Sequence, residues 1–355
     1  MKRGVVASFV ILALLIVALV VFRSCVQRAV AKRIAIKSPN GIASLEKIRL
    51  SGVDQWIQIR GHDRTKPILL FLHGGPGFPE MPFSHVNAAL EKEFVVVHWD
   101  QRGSGKSYSS RVPESSMNVE QFVSDTHELI EFLRHRFGRK KVFVVAHSWG
   151  TLIGALTVSR YPGLVSAYLG IGQVVNPPES ERWAYRFAID LAIKTANKEA
   201  VAELTKIGLP PYKRIVDYDN MRKWVVRFSD QTRYDPSPAR FVWLAFSSPA
   251  YSWRDLFNIP RGVKFSYSHL WREAFYQTDL MRDVPRMEVP VYFIEGRHDF
   301  TVPVTAEMAR RYFQTLDAPQ GKQLIWFEKS AHWPHVQEPQ KFQATVLEIG
   351  RNISD

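Results

Sequence analysis

From Ile68 onward, unbroken apolar runs alternate with stretches whose apolar residues recur every three or four positions. Ile68–Leu72, 94–100, the start of 141–150, 165–175, and the starts of 289–299 and 322–333 are the continuous runs, bounded by glycine, proline or charge. Such runs predict strands covered on both faces, as in a parallel sheet. Residues 118–137 carry Phe122, Leu129, Ile130, Leu133 and Phe137 at helical spacing before Gly138. Residues 150–161 before Pro162, 303–314, and the segment after Pro339 also read as helices. Two shorter alternating runs, near 45–50 and 55–60, precede this pattern. Strands alternating with helices predict an α/β fold with a mainly parallel sheet.

The stretch 176–285 breaks the rhythm. It reads as mostly helical and holds 19 of the chain's 44 aromatic residues. It is expected to be a helical cap over the carboxyl edge of the sheet, inserted between core segments 43–175 and 286–355. The bland role of these aromatics is to pack the cap onto the core.

The N-terminus has a third pattern. Val5 to Phe22 is 18 residues with Ser8 the only polar one. As a helix it would span roughly 27 Å, enough for a hydrocarbon core. Residues 1–22 are therefore expected to form a membrane anchor, with 23–42 a basic juxtamembrane linker. A cleaved signal or a lipidated Cys25 are the other readings, but Phe22-Arg23-Ser24-Cys25 makes a poor cleavage site. Two basic residues precede the span and five follow it. By the positive-inside rule the body would face the cytoplasm, whereas the short basic tail resembles an export anchor, so the side is left open.

Composition narrows the rest. Of a net charge of +13, seven charges lie in residues 1–37, which contain no acid. The remaining excess is scattered, and no nucleic-acid motif accompanies it. A single cysteine excludes an internal disulfide framework and a multi-cysteine metal site. Gly103-Ser104-Gly105-Lys106-Ser107 looks like part of a phosphate-binding loop, but Asp100 stands where that loop needs glycine.

The candidate chemistry lies at strand ends. Ala146-His147-Ser148-Trp149-Gly150 follows an apolar strand and matches a nucleophile elbow, with alanine in place of the first glycine. A serine hydroxyl needs a base, and the base needs an orienting acid. Asp299 follows the strand near 291–294, and His332 follows that near 324–327. Ser148, Asp299 and His332 thus arrive in the chain order of a hydrolase triad. His335 and His298 are rival bases, and Glu295 a rival acid. An oxyanion needs aimed N–H donors, expected from Trp149 and from Gly75 in His73-Gly74-Gly75-Pro76-Gly77, with Gly74 the alternative. His73 is expected to be a structural hydrogen-bonding residue.

Together HGGPG, DQRGSGKS, the HSWG elbow, GRHD with VP behind it, and SAHWPHVQEP resemble the proline iminopeptidase branch of the α/β-hydrolase superfamily. The resemblance covers about 43–175 and 286–350. It implies a serine hydrolase that releases an N-terminal residue, often proline, without metal or organic cofactor. It implies Ser148 as nucleophile, Asp299 as acid, His332 as base, and Gly75 and Trp149 as oxyanion donors. Ala146 departs from the family pattern, as does the lack of a tryptophan-x-x-tryptophan-glutamate motif. Family members hold the substrate amine with cap glutamates, and Glu179, Glu181, Glu199, Glu203 and Glu273 are candidates here. The expected substrates are small peptides, amides or esters. The rival readings are a membrane-associated carboxylesterase or lipase-like enzyme and an inactive binding module. An aspartate nucleophile, as in epoxide hydrolases and dehalogenases, does not fit Ser148.

Overall fold

The computed structural model describes residues 2–300 and 305–353, leaving aside the side chains of residues 2–7 and Thr305. The expected Val302-Pro303 and the start of the helix at 303 lie outside the described residues.

The sheet begins as a hairpin. Strands β1 (Ile42–Leu50) and β2 (Val53–Gly61) pair antiparallel, with Leu50 opposite Val53. Ser51 and Gly52, both at positive φ, form the two-residue turn that matches strand twist. Next come β3 (Ile68–Leu72), β4 (Val95–Asp100), helix α2 (Val119–Phe137), β5 (Val142–His147), α3 (Trp149–Arg160) and β6 (Val165–Ile171). Asn118 caps α2 by accepting from the Gln121 N–H, and Gly138 closes it in the left-handed conformation.

Seven helices follow before the sheet resumes, in the stretch expected to be a cap: α4 (Pro177–Lys194), α5 (Lys198–Ile207), α6 (Ile215–Phe228), α7 (Gln231–Tyr234), α8 (Pro238–Ser247), α9 (Trp253–Tyr276) and α10 (Leu280–Asp283). The chain then forms β7 (Val291–Gly296), α11 (Thr305–Thr315), β8 (Lys322–Phe327), α12 (Pro334–Gln337) and α13 (Pro339–Asn352). The eight strands form one sheet in the order β1-β2-β4-β3-β5-β6-β7-β8, parallel from β4 to β8.

Every residue of β3, β4, β5 and β6 is buried. Successive side chains serve two cores. Leu70, Leu72, Val144 and Ala146 pack with Leu129, Leu133 and Leu152, whereas Leu69, Phe71, Val145 and Leu169 pack with Phe342 and Val346. That is why the runs are continuously apolar rather than alternating. It also aligns the carboxyl ends of β3, β5, β6, β7 and β8 along one edge, where ligand sites of such sheets form.

The N-terminal helix α1 spans Lys2–Arg33. Within it, Ser8–Arg33 is long and apolar enough to cross a membrane by length and composition. The helix does not stop at Phe22. Half of the segment expected to be a linker is helical, because side chains of its next two turns are anchored. Arg23 Nε donates to Phe246 O at 3.0 Å and Nη2 to Tyr251 O at 2.7 Å. Gln27 Nε2 donates to Ser248 O and Tyr251 O. These donors satisfy the carbonyls left open at and beyond the end of α8.

Candidate active site

The elbow puts Ser148 between β5 and α3, at φ 53° and ψ −121°, a conformation that L-residues rarely adopt. Its N–H donates to Ile171 O at 2.9 Å. A Cβ on Gly150 would overlap the Leu72 carbonyl, so the turn closes only with glycine there. Ala146 is fully buried and packs where α3 crosses β5, its Cβ 3.1 Å from where one on Gly154 would lie. The departure from the glycine pattern is thus absorbed by a neighbouring glycine.

Asp299 and His332 meet beside this elbow. Asp299 Oδ2 lies 2.8 Å from His332 Nδ1, both residues buried. Gly172, one residue after the carbonyl that holds Ser148, lies against both His332 and Asp299. Burial alone would lower the His332 imidazole, but the Asp299 carboxylate outweighs it and the net shift is upward. The rivals are engaged elsewhere. His298 Nδ1 lies 2.8 Å from Asp230 Oδ2, and its ring stacks on Tyr234. His335 Nε2 faces Glu80. Glu295 is fully buried and accepts the Gln173 N–H, and burial pushes its carboxyl well up.

Gly75 and Trp149 line a small cavity of about 30 Å³ together with Ser148, Pro76, Leu152 and Pro177. Gly75 has φ 120°, and a Cβ there would collide with the N–H groups of Gly77 and Phe78. His73 has the structural place expected of it. Nδ1 bonds Gly74 O, Nε2 accepts from Gln101 N and meets Ser104 Oγ, and burial pushes the ring down to about 4, so it stays neutral. Gln101 also accepts from the Trp149 indole and donates to His73 O. Arg102 and Asp125 form a buried two-pronged pair at 2.8 Å. Lys106 is bound to Asp255 and Ala250 O, and Gly105–Ser107 make one tight turn instead of opening a helix. The segment therefore braces α9 against the sheet and does not cradle phosphate.

The sequence reading missed Glu80. Among residues 64–90 it is the one acid, isolated in an apolar, proline-containing stretch, and that isolation was the available signal. Its carboxylate is buried and joins three segments. Oε1 accepts from Gly74 N at 3.0 Å and faces His147 Nδ1 at 2.6 Å, while Oε2 faces His335 Nε2 at 3.1 Å. His147 Nε2 in turn lies 2.8 Å from His332 O. Both nitrogens of His147 face acceptors, and a neutral imidazole donates from only one of them at a time. Burial alone would raise the Glu80 carboxyl, but His147 and His335 outweigh it and hold it well below the usual carboxylate range. Burial outweighs the pull of Glu80 and pushes the His147 ring down to about 4, so Glu80 holds the charge and His147 one proton. The donor atoms of Glu80, His147 and His335 lie within 4.8 Å of one another, as in a metal cluster. The hydrogen bonds already use the lone pairs a cation would need, so the arrangement fits a brace better than a metal centre.

The candidate glutamates of the inserted helices separate clearly. Glu203 pairs with Lys223, Glu273 accepts the Val119 N–H, Glu179 lies 3.5 Å from Arg311, and Glu199 is exposed. Glu181 alone of the five is fully buried, and among the described residues neither of its oxygens has a hydrogen-bond partner. Burial pushes it up to about 8, against the pull of Arg222. It sits one turn along α4 from the cavity residue Pro177. Tyr218 and Tyr267, in ring contact with the cavity residue Phe275, lie in its field. The same helices also reach the base loop: Asp235 Oδ1 accepts His332 N at 3.0 Å and Arg222 donates to Phe300 O.

Comparison with known proteins agrees with this architecture. The family described as alpha/beta hydrolase fold matches residues 67–339. The probable aminopeptidase YbaC of Bacillus subtilis (strain 168) is 36% identical over 321 residues, 89% of this chain and 99% of that protein. A proline iminopeptidase of Heyndrickxia coagulans is 25% identical over 80% of this chain and 91% of its own length. Among solved structures, a proline iminopeptidase of Mycobacterium smegmatis superposes with a TM-score of 0.60 at 20% identity, covering 87% of this chain and 98% of that one. A membrane phospholipase A gives 0.61 at 18% identity, over 99% and 100%. At these identities the solved structures speak to the fold alone.

Proposed function

The chain is a hydrolase of the alpha/beta hydrolase fold family, and on that premise we propose that it is a membrane-anchored serine hydrolase that cleaves small peptides or amides with a free N-terminal amine. Ser148 Oγ attacks the carbonyl carbon while His332 takes its proton. Asp299 fixes the ring through Nδ1 and stabilises the imidazolium that forms. The Gly75 and Trp149 N–H groups receive the oxyanion. Collapse expels the amine, which takes the proton back from His332, and water then hydrolyses the acyl-enzyme by the same route. Helix α1 is the anchor, and α4–α10 form the cap.

Glu181 carries the amine part of this reading. A buried carboxyl with no partner is costly, and the group avoids that cost by staying protonated. A substrate ammonium beside it would restore the charged form and supply the missing donors. The names of the Bacillus subtilis and Heyndrickxia coagulans relatives point to the same substrate class. The reading is tested with prolyl-naphthylamide, its N-acetyl twin and p-nitrophenyl butyrate. A hundredfold preference for the free amine, about 2.7 kcal/mol, is expected, and Glu181→Gln removes most of it. Equal rates on the twins refute the amine site. A dominant ester rate would favour the second reading, a carboxylesterase of hydrophobic substrates, which the all-apolar groove beside α8 and α9 supports.

A further inference from the structure

One surface next to α1 is unlike the rest of the body. Val242 and Trp243 on α8 and Phe257 on α9 are 68%, 50% and 63% exposed. Between α8 and α9 lies a groove of about 390 Å³ whose lining includes Phe78, Phe241, Phe246, Trp253 and Phe257, all apolar. Phe78 is two residues past Pro76, which lines the Ser148 cavity, so one short strip of chain joins the lining of the groove to that of the cavity. A soluble surface seldom exposes such side chains together.

Its position relative to α1 is fixed. The apolar span ends at Phe22, whose ring lies 6.2 Å from that of Phe246 in the groove wall. Arg23, 3% exposed, closes over the same place, its guanidinium 4.5 Å from the Trp253 ring centroid and bonded to Phe246 O and Tyr251 O. The groove therefore starts at the level where the span leaves hydrocarbon. Around Phe257, Arg254, Arg261 and Lys264 are exposed at positions three and four apart, on one face of α9. An apolar residue set among cations on one helix face is the pattern of a helix lying in a lipid interface. Arg28, Lys32, Arg33 and Lys37 extend the positive charge along the same junction.

We propose that the α8–α9 face docks on an anionic lipid surface, with Val242, Trp243 and Phe257 entering the headgroup–acyl boundary and Arg254, Arg261 and Lys264 meeting lipid phosphates. The acyl chains of that leaflet cover the groove. The inference rests on α1 being a membrane helix and not on the amine site, since no residue of the face touches the Ser148 cavity. It makes the groove mouth continuous with the bilayer, so that amphipathic substrates partitioned there approach the site from the lipid side.

The test uses the full chain in nanodiscs, either of neutral phosphatidylcholine or with a third phosphatidylglycerol. Cys25, the one cysteine, is replaced by serine, and a nitroxide is placed at Phe257→Cys or, at the far end of the sheet, at Lys140→Cys. Oxygen and nickel-chelate accessibilities are read by power-saturation EPR. In anionic discs the label at 257 is expected to be oxygen-accessible and chelate-protected, and that at 140 the reverse. Arg254→Glu/Arg261→Glu/Lys264→Glu is expected to return 257 to the aqueous signature. A chelate-accessible label at 257 in anionic discs overturns the proposal, as does lipid burial that survives the triple reversal. Turnover of prolyl-naphthylamide by the same samples reports the hydrolase reading separately. Its failure with a lipid-buried 257 indicts the substrate, and its persistence with an aqueous 257 indicts the docking surface.

Discussion

Replacing Glu80 by glutamine leaves shape almost unchanged and removes one charge, which isolates what the carboxylate does. In the native protein Glu80 accepts from Gly74 N, at 3.0 Å, and faces two buried imidazoles at 2.6 and 3.1 Å. An amide keeps one acceptor and adds a donor, so it can serve at most part of this set. An amide oxygen accepts more weakly than a carboxylate, and its NH2 competes with the Gly74 and imidazole donors already facing residue 80. Hydrogen bonds to a buried charged acceptor are worth about 1.5–3 kcal/mol each. A glutamine that keeps a neutral hydrogen bond should recover part of that, leaving a loss of about 2–3 kcal/mol. The same change loosens Gly74, beside the oxyanion loop, and the carbonyl of the base itself. A shift of about 1 Å in such groups lowers turnover roughly a hundredfold. Chemical unfolding of the full chain in detergent reads the first effect, and kcat/KM on prolyl-naphthylamide, measured on the folded fraction, reads the second. A variant within about 0.5 kcal/mol of the parent, with parental kcat/KM, would refute both the buried carboxylate's hydrogen bonding and its bracing of the site.

Ser148→Ala is expected to abolish turnover and fluorophosphonate labelling while leaving Tm unchanged; residual turnover at the parental rate would remove Ser148 from the chemistry. In the proposed mechanism neutral His332 is the working form, and the Asp299 carboxylate raises its imidazole above the ordinary histidine value. As pH falls, kcat/KM should therefore drop through a midpoint above that value. Asp299→Asn removes the carboxylate that stabilises the imidazolium, so the midpoint moves down, and the plateau falls by up to about 10⁴-fold. An unmoved midpoint would show that another acid holds the base. Glu181→Gln should cost about 1.5–3 kcal/mol on free-amine substrates, a ten- to hundredfold loss in kcat/KM, and nothing on the N-acetyl twin. Equal losses on both would make Glu181 a packing residue.

The sequence by itself determined the frame. Central parallel strands are buried on both faces, so β3, β4, β5 and β6 had to be continuous apolar runs and could be read without partners. Local stops such as Gly138, Pro162 and Pro339 act through their own backbone, and the helices begin or end beside them. Ser148, Asp299 and His332 were visible because each follows a strand that ends at one edge of the sheet. Tertiary structure decided what depends on distant neighbours. Glu80 meets His147 and His335 across 67 and 255 residues of chain, and Arg23 meets its carbonyls across 223 and 228. Which histidine stands beside Asp299, and which of five glutamates is stripped of water, follow from the same long-range packing. Burial and hydrogen-bond satisfaction are properties of a three-dimensional neighbourhood. A residue's type gives its chemistry, but its neighbours set whether that chemistry is solvated, paired or held ready.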